Sequence, residues 1–146
     1  MNRTNLQTLW NDLHTQNTWV TGANNALAGL TPEQAAWKPA PERHSIWQLV
    51  NHLIFWHTYH LAHTRTGGTL PREQVMERNW QEPTTTSDDA WRQTLASYES
   101  MRREVSTALD DPGFKLDNIP NMLMHTSYHL GQIMQLRAMQ GLPPIE

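Results

Sequence analysis

The sequence predicts an all-α protein built as a bundle of four long amphipathic helices. Three observations support this fold class. Apolar residues recur at helical spacing in four long segments, cap and glycine signals bound most of these segments, and no stretch shows the alternation of a strand. The length of 146 residues fits a single domain, 1–146, with enough chain to bury a hydrophobic core.

The first predicted helix runs from about Thr4 to Gly29. Thr31 and Pro32 then look like a cap followed by proline at the first helical position, opening a short element that cannot pass Pro39 and Pro41. We expect this short element to be a connector. The apolar positions of the first helix are Leu6, Leu9, Trp10, Leu13, Val20 and Leu27.

The second predicted helix begins after Ser45, a plausible N-cap, and ends near Thr66, where Gly67 offers a left-handed stop. Residues 69–86 contain two prolines and little periodicity, so we expect a long loop with one weak helical turn at 72–78. Long loops without regular structure are uncommon in compact domains unless they cover another part of the molecule. Trp80 is the candidate lid or packing anchor of this loop.

The third predicted helix opens at Ser87 and closes at Pro112 and Gly113. Two aspartates follow Ser87, where negative charge interacts favourably with the helix dipole. The fourth begins between Ile119 and Asn121 and runs to Gln140, followed by a glycine and two prolines. The long connection therefore lies between the second and third helices of the bundle.

Composition excludes several classes of protein. A net charge of -3 and a pI near 6.2 argue against a protein that coats nucleic acid or an anionic membrane. No segment has the apolar length of a membrane span, and the N-terminus lacks the apolar core of a signal peptide, so we expect a cytoplasmic protein. Because the chain has no cysteine, a transition-metal site would have to use histidine and carboxylate ligands.

The strongest chemical signal is the spacing of His125 and His129. Residues four apart lie one turn apart on the same helix face, close enough for two imidazoles to bind one metal ion. Imidazole binds zinc, nickel, iron and copper, and facing helices of a bundle can complete such a site. The alternative is that both histidines are half-buried and simply hydrogen-bonded.

A third ligand would come from the second helix. At about 100° per residue, His52 and His63 share a face, His60 lies about 80° away and His57 about 140° away, so they cannot all bind one ion. His52 lies among apolar positions and is the best candidate to face inward. The other three are expected at the surface or rim, where a helix C-terminus favours cations.

The remaining histidines, tryptophans and methionines have simpler interpretations. His14 and His44 are expected at the surface, and the tryptophans and methionines in the core.

Two segments resemble the signature stretches of the DinB-like family: His-Ser-Ile-Trp-Gln-Leu-Val-Asn-His-Leu (44–53) and His-Thr-Ser-Tyr-His-Leu-Gly-Gln-Ile (125–133). Arg137, followed by Gly-Leu-Pro-Pro at 141–144, is similar as well. The order and lengths of the predicted helices resemble the family over the whole chain. The residues that are specific to the family lie in these two segments.

This resemblance implies a DinB-like four-helix bundle, commonly a homodimer, in which three histidines hold zinc, nickel or a similar ion such as iron or manganese. Carried over by position, the ligands are His52, His125 and His129. Gly131 would permit close helix packing and Gln132 would support the ligands, unless both serve packing alone. No catalytic acid or base can be assigned from the sequence.

Two functions remain open beside a purely structural dimer with core histidines. Three protein ligands leave a coordination position, as in catalytic zinc sites. We therefore expect a metal-dependent transferase or hydrolase acting on a small molecule in stress response or detoxification. The resemblance implies that some relatives of the bundle use a low-molecular-weight thiol such as bacillithiol or mycothiol, and that others hydrolyse reactive small molecules. The alternative is a metal or small-molecule binding protein without turnover, and neither reading involves direct DNA binding.

Overall fold

In a computed structural model that describes residues 2–145, the protein is all-α, with seven helices and no strand in that range. The predicted fold class is thereby confirmed. None of these helices is long and apolar enough to cross a membrane. In chain order they are α1 (Arg3–Thr15), α2 (Ala23–Leu27), α3 (Pro32–Ala36), α4 (Ile46–Thr66), α5 (Arg72–Asn79), α6 (Asp88–Asp110) and α7 (Ile119–Met139).

The chain forms two compact units. The terminal unit comprises residues 2–30 and 106–145, and the central unit comprises residues 31–105. The single domain expected from chain length stays a prediction.

In the terminal unit, α1 packs against α2 and α7, and α2 also packs against α7. Its fully or nearly fully buried apolar residues include Leu6, Trp10, Ala23, Ala26, Leu109, Leu130 and Ile133. The guanidinium of Arg137 is buried against this core and donates to the carbonyl oxygens of Ala26 and Ala28, at 3.1 and 3.2 Å. The Arg137 side chain thus donates hydrogen bonds to carbonyl oxygens at the end of α2, where no further helical turn supplies backbone donors.

The prediction of one helix from Thr4 to Gly29 is wrong at residues 16–22, where a turn separates α1 from α2. α1 ends at Thr15, and Gln16 adopts an extended conformation. The Asn17 side chain accepts a hydrogen bond from the Gly22 backbone, at 3.1 Å, in place of a helical carbonyl. A Cβ at Gly22 would lie 2.4 Å from the carbonyl oxygen of Gln16, so the turn requires glycine.

In the central unit, α4 packs against α3 and α5. Ser45 and Gln48 form a capping box at the start of α4, and Gly67 ends it in the left-handed conformation with φ of 70°. Ser87 accepts from the Ala90 backbone at 3.2 Å at the start of α6. These boundaries confirm the predicted second and third helices, and α5 is the helical turn expected within the long loop.

The expectation that tryptophan and methionine lie in the core is wrong at four positions. Trp19 is fully exposed, and Met76, Met124 and Met139 are also exposed. Trp19 lies in the turn between α1 and α2, outside both helices.

The Arg137 contacts predict a specific loss of stability. Replacing Arg137 by leucine should lower the free energy of unfolding by about 2 kcal/mol, because two carbonyls lose a charged donor. Urea denaturation followed by circular dichroism measures this change. Arg92→Ala is the control, since Arg92 pairs with Asp89 on the exposed surface of α6 and should cost less than about 1 kcal/mol. Equal losses in the two variants would contradict the role given to Arg137.

Candidate metal centre

The α7 histidines meet as their spacing predicts. The Nε2 atoms of His125 and His129 lie 2.9 Å apart, and the two rings are nearly perpendicular, with centroids 4.5 Å apart. His129 is buried and His125 is half-buried. Two imidazole nitrogens on one tetrahedral zinc would be about 3.3 Å apart, since each lies about 2.0–2.1 Å from the ion. The pair therefore needs only a small adjustment to bind one ion.

Gln132 orients His129 from one turn further along α7. Nδ1 of His129 donates to Oε1 of Gln132 at 2.6 Å, and the amide of Gln132 donates to the Tyr128 hydroxyl at 3.2 Å. With the proton on Nδ1, Nε2 of His129 accepts the hydrogen bond from Nε2 of His125, and this His125 proton would have to move to Nδ1 for both Nε2 atoms to bind a metal. Metal-binding histidines are usually oriented by such a hydrogen bond to the second ring nitrogen.

His52 is buried, as predicted, in the central unit. Its Nδ1 donates to the backbone carbonyl of Asn79 at 3.2 Å, which leaves Nε2 as the nitrogen with the lone pair. The side chain of Asn79 in turn accepts from the indole of Trp56 at 2.7 Å. The last residue of α5 thus sets the tautomer of His52, just as Gln132 does for His129.

Trp80 is the packing anchor of the loop that follows α5. Its ring stacks on His52 at 3.7 Å and on His44 at 3.8 Å, each with an interplanar angle of 8°. Gln48 of the α4 capping box donates to the Trp80 carbonyl at 3.1 Å. These contacts restrict the His52 ring, and the isolated tryptophan in a polar loop was the sequence signal for them.

The other α4 histidines do not all lie at the rim. The expectation is wrong for His57, which is completely buried, because the buried stripe of α4 is wider than its apolar residues indicate. His60 and His63 are half-buried. Burial lowers the pKa of His60, with a smaller contribution from the neighbouring charge of His63, so His60 is neutral at physiological pH.

His14 was expected at the surface, and this is wrong. It is completely buried in the terminal unit, where its Nδ1 donates to the Trp10 carbonyl at 2.6 Å and its ring packs on that indole. His44 is half-buried beneath Trp80. Burial and then the charge of Lys38 lower the pKa of His44, while Gln48 and Glu82 oppose the shift.

Gly131 does not serve close helix packing. It is exposed, and a Cβ added there would meet no atom within 4 Å. The match of Gly131 to the family signature therefore has no packing explanation here, whereas Gln132 directly contacts a candidate ligand.

The described part of the chain is all-α, and its histidines offer three imidazole nitrogens that could hold a metal ion. Imidazole is a ligand that suits divalent transition metals. The family model of the DinB superfamily matches residues 16–133, most of the chain. The chain therefore belongs to the DinB superfamily. No curated protein and no solved structure matches it.

The Gln132 contact predicts a measurable effect on metal affinity. Gln132→Ala should weaken zinc binding by about 10–100-fold, because His129 loses the acceptor that fixes its tautomer. Competition with a chromophoric zinc chelator measures the affinity. Gln135→Ala is the matched control, an exposed glutamine on the same helix, and should bind zinc like the wild type. Equal affinity in all three proteins would contradict the role of Gln132.

Proposed function

We propose that this chain is a metal-dependent enzyme of the DinB superfamily in which His52, His125 and His129 bind one divalent ion. The observation that carries the proposal is the 2.9 Å separation of the Nε2 atoms of His125 and His129, with His129 held by Gln132. Two imidazoles at this separation on a single helix face are preorganised to chelate one ion.

His52 is proposed as the third ligand for two reasons. It stands in the 44–53 segment that resembles the family signature. Its hydrogen bonding also matches that of His129, because in both residues Nδ1 donates to an amide-type oxygen and Nε2 carries the lone pair. His63 also donates from Nδ1 to a backbone carbonyl, that of Gly68, but it is half-buried near the end of α4, whereas His52 is buried in the middle of the helix.

Three neutral ligands suit zinc or nickel, with iron or manganese also compatible, and leave a coordination position for chemistry. When bound, the ion would supply Lewis-acid activation of a thiol or a water near neutral pH. The role of the chain is to present neutral imidazoles. Asn79 and Gln132 hold the Nδ1 protons of His52 and His129, so each Nε2 is directed to bind without first losing a proton.

The reaction that fits this chemistry is transfer of a low-molecular-weight thiol to an electrophilic small molecule, or hydrolysis of a reactive small molecule. Family membership and the donor set support this proposal. A homodimer acting in stress response or detoxification is the biological setting that we propose from the family resemblance. Metal binding without turnover is the alternative function.

The first test is the metal content of freshly purified protein. Wild-type protein should carry about one divalent ion per chain by elemental mass spectrometry, and His125→Ala should carry almost none. His63→Ala is the control on α4, because His63 is half-buried near the end of the helix and is not a proposed ligand. An absence of metal from wild-type protein, even after reconstitution, would overturn the proposal.

The second test is turnover by the metal-loaded protein. We expect conjugation of electrophiles with bacillithiol, mycothiol or glutathione, or hydrolysis of activated esters and amides, at a rate that His125→Ala abolishes. Stoichiometric metal with no turnover on either panel would leave the metal site standing but favour the non-catalytic binding protein.

A further inference from the structure

A second candidate site lies wholly within the central unit. It is a cleft of about 760 Å³ bounded by one face of α4, the first half of α6 and the loops on either side of α5. This volume is in the range of sites that bind small organic molecules. Neither His52 nor any other histidine of the described chain lines it. On α4, Asn51, Thr58 and Ala62 face the cleft, about a quarter turn round the helix from His52.

One side of the cleft is aromatic. Trp47, Phe55 and Tyr59 line it, and the rings of Phe55 and Tyr59 stack with centroids 6.2 Å apart. The indole N–H of Trp47 already donates to Thr94 at 2.9 Å and the residue is almost completely buried, so it adds only apolar atoms to the wall of the cleft. Such a surface favours a flat aromatic ligand over an aliphatic polar one.

The charges of the cleft favour an anion. Arg78 lines it, with its guanidinium carbon 5.4 Å from the centroid of the Phe55 ring, and it makes no ion pair within the described chain. The other charged residue of the lining, Glu82, is paired with Lys38 and also accepts from Gln48. Arg78 is therefore the uncompensated charge of the cleft, next to an aromatic ring.

We propose that this cleft binds a small aromatic carboxylate. The ring of the ligand would pack against the aromatic side, and its carboxylate would accept two parallel hydrogen bonds from the planar guanidinium of Arg78. This site is separate from the proposed metal ligands. Binding there is therefore expected in metal-free and metal-loaded protein alike, and the proposal can succeed or fail independently of the metal site.

The test is titration of the full-length protein with 2-naphthoate and with its neutral analogue 2-naphthylmethanol, by isothermal calorimetry and amide chemical-shift mapping. We expect naphthoate to perturb residues around Phe55 and Thr58. Arg78→Gln should weaken naphthoate binding by about tenfold and naphthylmethanol binding much less, since only the carboxylate gains from the charge of Arg78. Arg72→Gln is the control, an exposed arginine of α5 outside the cleft, and should bind both probes like the wild type.

A second variant tests the space of the cleft and leaves the charge of Arg78 in place. Thr58→Trp places a large side chain at an exposed cleft position and should abolish binding of both probes while the circular dichroism spectrum and metal content stay those of wild type. Naphthoate binding that is unaffected by Arg78→Gln, or no binding of either probe up to millimolar concentration, would overturn the proposal. So would a wild-type dimer that Thr58→Trp dissociates, because a second copy would then cover the cleft.

Discussion

The candidate site depends on the helical register of α7. Because α7 continues without a break from Ile119 to Met139, His125, His129 and Gln132 fall on one side of the helix. The first two bring their Nε2 atoms to 2.9 Å, and the third fixes the tautomer of His129. A kink or a shift of one residue between them would separate the donors, so the chemistry of the pair rests on backbone hydrogen bonds along a single helix.

His52 is oriented in a different way, by a segment distant from it in sequence. The Asn79 carbonyl accepts its Nδ1 proton and the Trp80 ring stacks on its imidazole, both at the end of α5. The same segment continues into Gln81 and Glu82, which line the proposed carboxylate-binding cleft between α4 and α6. The loop between α4 and α6 therefore has two roles in the central unit, since it restrains His52 and forms one side of the cleft.

The sequence predicted those features that depend on local rules. Ser45, Gly67 and Ser87 mark helix ends through hydrogen bonds to nearby residues, and the His125 and His129 contact follows from helical spacing. It did not predict the turn at Gly22, where the Asn17 side chain replaces a helical carbonyl, because periodicity carries no information about such local competition. The burial of His14 and His57 was also missed, since a histidine in a core depends on tertiary packing. Residue type alone favours the surface.

The most direct test of the central claim is X-ray absorption spectroscopy of the zinc-loaded protein, compared with its His52→Ala and His125→Ala variants. Wild-type protein is expected to show three imidazole nitrogens at about 2.0–2.1 Å plus one non-protein ligand such as water, and each variant reconstituted with excess zinc is expected to show one imidazole fewer. A wild-type spectrum with two or fewer imidazoles, or one that His52→Ala leaves unchanged, would contradict the claim that these three histidines share one ion.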